Sequence, residues 1–312
     1  MALLRRLVRL RRYGPHNVGR RCGTAVRGHF GPKTGPSSEI DQPDQERRRV
    51  TVCQGPLKAI FLPAGGLTVA MDHGLNGLPA GFENVRPVIE AVCRSAPDGV
   101  IVTPGIARAW GERFTSAGIV LIGSVDWPVS YGGRVVGRTF VASARAYADL
   151  GCVATKVVFQ LGWSGAQFCE EIARVGQLVE ETHDAGLACV VEPNVIGGEG
   201  HFAEQDRERV LDGCRISSEL GADALKMPML GADGIVAARG TTHCPVTVMG
   251  GARNDIEIFL ADVRSSLEGG AVGVMAGRNV WQGGDPAGVV DKLRKVLAPH
   301  TARAGDGAPG HV

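Results

Sequence analysis

From about residue 65 onward the chain alternates short apolar, β-prone runs with longer segments of helical period, and the alternation repeats eight times. The runs are LTVAMD (67–72), GVIVT (99–103), GIVLIG (118–123), CVATKVV (152–158), LACVVEP (187–193), ADALKM (222–227), PVTVMGG (245–251) and AVGVMAGR (271–278). A strand that is apolar throughout is buried on both faces, and helices between successive strands make those strands parallel. Eight such units in one domain favour closure into a (β/α)8 TIM barrel. An open doubly wound sheet is the competing fold, but no GxGxxG opens after the first run and no acidic residue is placed to hold a ribose.

Several gaps between runs carry recognisable helices. In 165–186, Phe168, Ile172, Val175, Leu178 and Val179 form an apolar stripe beside charged residues. In 254–270, Asn254 or Asp255 can cap the start and glycines close the end. Residues 285–298 read as the eighth helix. Segment 126–143, DWPVSYGGRVVGRTFVAS, interrupts the pattern after the third run and is expected to be a lengthened loop over the active end.

The 312 residues accommodate one barrel of about 250 residues plus an extension. Charge marks the boundary. Residues 1–50 hold twelve Arg/Lys against four Asp/Glu, a surplus of eight, so a chain of net charge +2 carries −6 over residues 51–312. The expected division is a basic, flexible extension (1–50), the barrel (51–300) and a flexible tail (301–312). Interleaved arginines and apolar residues would suit targeting or a membrane surface, and nucleic-acid contact is conceivable. The plainest expectation is an extension outside the chemistry and no nucleic-acid partner. No apolar run approaches the roughly 18 residues of a membrane span. The eight cysteines are scattered without a CxxC pair, which fits small core residues in a reducing, cytoplasmic compartment rather than a disulfide framework.

In a barrel, chemistry belongs to the C-terminal ends of the strands. The first run ends in Asp72 and His73, Lys156 lies near the end of the fourth, Glu192 at the end of the fifth and Lys226 at the end of the sixth. Apolar flanks strip water from the Lys226 ammonium, which lowers its pKa and frees the amine to attack a ketone. The alternative for such a lysine is to reach solvent or pair with a carboxylate. Lys156 can face the same lumen as a second ammonium, as a substrate-binding group, or as the imine-forming lysine itself. Asp72 and His73 offer proton transfer, although Asp72 can instead cap the next loop.

The seventh and eighth runs end in GGARND and AGRN. Bare amides at Gly250, Gly251 and Gly277, with Arg253 and Arg278, suit a phosphate dianion, and a barrel's usual phosphate site lies in these two loops. Tight strand-to-helix turns are the other use for these glycines. Metal signals are weak. The histidines lack HExxH spacing and His183 reads as a surface or helix-end residue, so neither metal nor cofactor is expected. Asp72 with Glu192 as ligands of a metal enolate is the rival mechanism.

MDHG (71–74), GADALKM (221–227), GGAR (250–253) and GAVGVMAGRNVWQ (270–282) resemble the DhnA/DeoC-like class I aldolases. That group includes archaeal-type fructose-bisphosphate aldolase, aminodideoxyheptulosonate synthase and the thiolase that processes a phosphorylated autoinducer product. The likeness runs from about residue 55 to 298. It implies a sugar-phosphate substrate, Lys226 as the Schiff-base lysine, Asp72 as the acidic residue near it, and His73 within the same motif. It also implies Gly250, Gly251, Gly277 and Arg278 as the phosphate-holding turns, with Arg253 where a lysine is common, and a homo-oligomer of pentameric or decameric type. One position departs from the pattern. The sugar-phosphate aldolases carry a tyrosine in a Tyr–Pro–Arg–Gly setting at the end of strand five, whereas this chain has Glu192–Pro193–Asn194. A carboxylic acid can take over proton transfer if burial raises its pKa. Equally, the change can mark an acyl-transferring relative or a specialised condensation of a triose phosphate with an aldehyde.

Overall fold

The computed structural model describes residues 66–131, 134–195 and 206–305. The basic first fifty residues and residues 306–312 lie outside that range. Ten strands and nine helices are named here in chain order. Eight of the strands close a parallel barrel in the order β1-β10-β9-β8-β7-β6-β3-β2. They are β1 (Gly66–Ala70), β2 (Gly99–Val102), β3 (Val120–Ser124), β6 (Ala154–Leu161), β7 (Ala188–Val195), β8 (Ala224–Met227), β9 (Val246–Met249) and β10 (Gly273–Ala276). Each corresponds to one of the eight apolar runs, so the chain is an eight-stranded (β/α)8 barrel. Among the described residues no helix is long and apolar enough to cross a membrane.

Side chains alternate along these strands, and that alternation creates the site. On β6, Thr155, Val157 and Phe159 face the helices, while Ala154 and Lys156 turn inward. On β7, Cys189, Val191 and Val195 pack outward, and Ala188 and Val190 join the small inner cluster with Ala70, Ile101, Ile122, Ala224 and Met275. On β8, Leu225 and Met227 pack outward and Ala224 points in. Apolar residues, four of them alanines, thus fill the lower lumen. The next inward positions up each strand are Lys156, Glu192 and Lys226, two residues above an alanine or valine of that cluster.

Around the barrel, α1 (Val85–Ser95), α2 (Pro104–Ser116), α3 (Ala144–Asp149), α4 (Ala166–Asp184), α5 (Arg207–Glu219), α6 (Gly231–Thr241), α7 (Ile256–Glu268), α8 (Arg278–Trp281) and α9 (Pro286–Gly305) follow the strands. The capping residue of α7 is Asp255, whose carboxylate accepts the Glu257 and Ile258 amides. In α4 the predicted stripe is packed inward, but Glu171 and Thr182 are buried with it. The last helix runs to Gly305, past the predicted end at residue 298.

Segment 126–143 is not a plain loop. β4 (Asp126–Tyr131) and β5 (Arg134–Phe140) form an antiparallel hairpin between β3 and α3, with an irregularity at Val129/Ser130. The β-branched residues Val129, Val135, Val136 and Thr139 on either side of a Gly–Gly pair account for it. Strand β6 also differs from its predicted span. It continues three residues beyond Val158, which places Lys156 in its first half rather than near its end.

Candidate active site

Four charged side chains meet at the top of the lumen. Lys226 Nζ donates to Glu192 Oε2 at 2.7 Å. The same oxygen lies 3.5 Å from Lys156 Nζ, which is itself 3.2 Å from Asp72 Oδ2. Lys156 is fully enclosed, at 0% exposure, and stands between the two carboxylates. Its contacts are ionic rather than well-directed hydrogen bonds. Ser124 Oγ donates to Asp72 Oδ2 at 3.0 Å, and Tyr147 OH donates to the Ser124 carbonyl at 2.6 Å, fixing that end of β3.

Electrostatics follow from the bridge. Burial pushes the Asp72 carboxyl up, but Lys156, His73 and Lys226 together outweigh it and hold Asp72 well below the usual carboxylate range. Burial likewise opposes ionisation of Glu192, and Lys226 with Lys156 overcomes it, leaving its pKa lowered. Desolvation alone would neutralise Lys156. Asp72, Glu192 and Asp126 reverse that and raise it above an ordinary lysine. The Lys156 ammonium and the two carboxylates therefore stay charged together. The apolar flanks expected around Lys226 are only part of its surroundings, because Glu192 touches its amine.

His73 opens a short 3-10 turn (His73–Asn76) after β1. Its ring is held edge-on between Trp127 and Trp281, with centroids 5.4 Å from each. Trp281 is anchored by its indole N–H to the Ala70 carbonyl at 2.9 Å, and Trp127 by its own to Asn76 Oδ1 at 2.8 Å. His73 Nδ1 stands 3.4 Å from Asp72 Oδ1.

These groups border a cavity of ≈ 260 Å³. Glu192 and Lys226 line one part of it. Gly250, Gly251, Gly277 and Arg278 line another, and Trp127, Pro128 and Asn194 form further wall. Gly277 permits a close approach, since a β-carbon there would lie 2.7 Å from the Ala70 carbonyl oxygen and 2.8 Å from His73 Cε1. Gly251 has a φ of +67°, in the left-handed region that glycine favours. Arg278 Nε is buried and has no hydrogen-bond partner. Burial lowers the Arg278 pKa against a smaller opposing pull from Glu192. A buried guanidinium edge beside bare glycine backbone can accept an anion's oxygens.

Of the ten residues singled out from sequence, nine converge here, and Arg253 does not. It is exposed and does not line the cavity. Among the described residues no group of three or more His, Cys, Asp or Glu is placed to hold a metal ion. Between Asp72 and Glu192, the pair considered as metal ligands, stands the Lys156 ammonium. His183 is bound at a helix end to Asp223 at 2.9 Å.

Three contributors escaped sequence reasoning. Trp127 enters from the hairpin, and its ring centroid lies 4.9 Å from Lys156 Nζ. Ser124 reaches Asp72 from β3. Asn279 joins the two glycine loops: its Nδ2 donates to the carbonyls of Gly250 (2.6 Å) and Ala252 (2.9 Å), and its Oδ1 accepts the Asn254 amide (2.9 Å). Asn279 lies within the AGRN motif beside Arg278, and its local sequence does not show that it joins the two loops.

The profile of the "DeoC/LacD family aldolase" matches residues 67–283. An uncharacterized aldolase of Saccharolobus solfataricus is 30% identical over 252 residues, covering 77% of this chain and 90% of that one. The 2-amino-3,7-dideoxy-D-threo-hept-6-ulosonate synthase 1 of Archaeoglobus fulgidus is 28% identical, covering 81% and 90%. Among solved structures, an archaeal fructose 1,6-bisphosphate aldolase superposes with a TM-score of 0.67 at 26% identity, over 78% of this chain and 98% of that one. A second structure of an archaeal fructose-1,6-bisphosphate aldolase, with the catalytic Lys covalently bound to the carbinolamine intermediate, matches with the same score and coverage. With its barrel, its lumen of paired charges and a family match spanning most of the sequence, the chain belongs to the DeoC/LacD family of aldolases.

Proposed function

We propose that the protein is a class I lyase that cleaves or forms a carbon–carbon bond in a phosphorylated ketose through a Schiff base on Lys226. The observation that carries this reading is the 2.7 Å contact between the Lys226 amine and the Glu192 carboxylate at the wall of a cavity that also holds Arg278. A lysine nucleophile needs a base to take its proton and an acid to expel water, and one carboxylate at that distance can do both in turn.

Glu192 takes a proton from the Lys226 ammonium, and the free amine adds to the ketone carbon. The protonated Glu192 then delivers that proton to the carbinolamine hydroxyl, which leaves as water. The resulting iminium cation pairs with the Glu192 carboxylate and draws electrons from the adjacent carbon–carbon bond. Cleavage needs a base for the substrate's hydroxyl proton, a role for Glu192 or Asp72. Lys156 holds both carboxylates in place and keeps their charges from repelling one another. Gly250, Gly251, Gly277 and Arg278 hold the substrate phosphate, and that fixed end orients the reacting carbon. In the same proposal, the family resemblance supports a homo-oligomer, and the scattered cysteines without a CxxC pair support a reducing, cytoplasmic compartment.

Enamine formation can be tested without knowing the acceptor aldehyde. In deuterium oxide the protein should exchange a hydrogen on the carbon next to the carbonyl of dihydroxyacetone phosphate, followed by proton NMR. Lys226→Ala should abolish exchange. Absence of exchange in the natural protein would contradict the proposal.

A further inference from the structure

Strand β6 is eight residues long, yet β3 pairs with it only as far as Ser124 opposite Lys156. There β3 departs: the Val125 amide donates to the Lys156 carbonyl at 3.0 Å, and the chain turns into the hairpin. Above Lys156, β6 would leave the Val158 and Gln160 amides unpaired in the interior, which is costly. Two buried carboxylates take their place. Asp126 Oδ1 accepts the Val158 amide at 2.8 Å, and Glu171 Oε1 accepts the Gln160 amide at 2.8 Å.

Both carboxylates are met by arginines. Arg174 of α4 donates to Asp126 Oδ2 at 2.7 Å, to Glu171 Oε2 at 3.0 Å and to the Val158 carbonyl at 2.5 Å. Arg138, on the returning arm of the hairpin, makes a two-point contact with Glu171. The lattice therefore grips both arms of the hairpin, at Asp126 and Arg138, and ties them to α4 and β6.

What it grips matters for the site. Trp127 directly follows Asp126, and its ring covers Lys156 and flanks His73. Val158, held through both its amide and its carbonyl, lines the same cavity. A lattice that merely fastened a surface hairpin could act anywhere along it. This one fixes the residue next to the aromatic wall.

We propose that Asp126, Arg174, Glu171 and Arg138 are positioning residues that hold Trp127 against Lys156 and so keep water from the bridge between Asp72 and Glu192. The inference relies on the Schiff-base reading for the reaction it serves. Its geometric content, the placement of Trp127, stands apart from that reading.

A double-mutant cycle tests it. The paired replacement Asp126→Asn with Arg174→Gln removes both charges while leaving polar side chains at both positions, and it is crossed with Trp127→Leu. The rate of borohydride-trappable adduct formation with dihydroxyacetone phosphate should fall about ten- to a hundredfold on the paired replacement. In the Trp127→Leu background the further loss should be below about threefold, since one interaction cannot be lost twice. Equal fold-losses in both backgrounds would overturn the proposal. Arg138→Gln, at the other arm, carries the same expectation should the paired replacement fail to fold. A second readout needs no substrate: the Trp127 emission, taken as the difference from Trp127→Leu, should move to longer wavelength in either lattice variant. Unmoved emission overturns the proposal even if the natural protein forms no adduct, a result that by itself would count against the Schiff-base reading.

Discussion

Replacing Lys156 by methionine isolates the charge that joins the two carboxylates. The side chain keeps most of its length, so packing changes little, but Asp72 loses an ammonium at 3.2 Å and Glu192 one at 3.5 Å. Glu192 retains Lys226, whereas Asp72, 1% exposed, retains among the described residues only Ser124 Oγ at 3.0 Å and His73 Nδ1 at 3.4 Å as near partners. Removing one partner of a buried ion pair costs about 3–5 kcal/mol, because the other charge is left uncompensated. At about 2–4 °C per kcal/mol for a domain of this size, the thermal midpoint at pH 7.5 should fall by roughly 6–20 °C. The sign of the pH dependence follows from the carboxylates. In the natural protein the folded pKa values of Asp72 and Glu192 are lowered, so their contribution is full above the unfolded pKa and is lost only as pH falls through the folded one. Lys156 is raised, so its contribution is full below the unfolded lysine value and is lost only as pH rises through the folded one. In Lys156→Met, burial is offset only by His73 and Lys226, so the Asp72 carboxyl titrates upward and protonation relieves the penalty as pH falls. The deficit at pH 5 should therefore be clearly smaller than at pH 7.5, measured by thermal unfolding with circular dichroism. An unchanged midpoint, or a deficit as large at pH 5 as at pH 7.5, would refute the bridging role.

Glu192→Gln keeps the side chain's shape but removes the proton acceptor beside Lys226, so turnover should fall about 10²- to 10⁴-fold while Lys226 still forms a slow adduct. A loss of less than about tenfold would place acid–base chemistry elsewhere. Arg278→Met should raise KM for a phosphorylated ketone by about ten- to a hundredfold, as expected for losing a charge-assisted hydrogen bond worth about 1.5–3 kcal/mol. Imine formation with unphosphorylated dihydroxyacetone should be unaffected, and equal losses with both ketones would remove Arg278 from the phosphate site.

The eight barrel strands were legible because each is buried on both faces and so reads as an uninterrupted apolar run. Lys226 and Glu192 stood out for the same reason, as charges within or at the end of such runs. Lys156 was found but placed too high, because the length of β6 depends on where β3 stops pairing, and nothing local in residues 154–161 records that. The hairpin was legible in principle from its Gly–Gly pair and β-branched arms. The lattice was not: Asp126, Arg138, Glu171 and Arg174 span 48 residues of sequence and meet only once the barrel closes. Glu171 reads locally as one more charge on a helical face, yet it substitutes for a missing strand neighbour. Arg253 shows how little sequence proximity fixes: it stands two residues after Gly251, yet it is exposed and does not line the cavity.

Borohydride trapping addresses the central claim most directly. The purified protein, incubated with dihydroxyacetone phosphate and reduced, should gain the mass of one reduced adduct per chain. Peptide mapping by mass spectrometry should place that adduct on Lys226, and Lys226→Ala should gain none. Modification at Lys156 would reverse the roles of the two lysines. Turnover of a ketose phosphate without any trapped adduct would contradict Schiff-base catalysis by this chain.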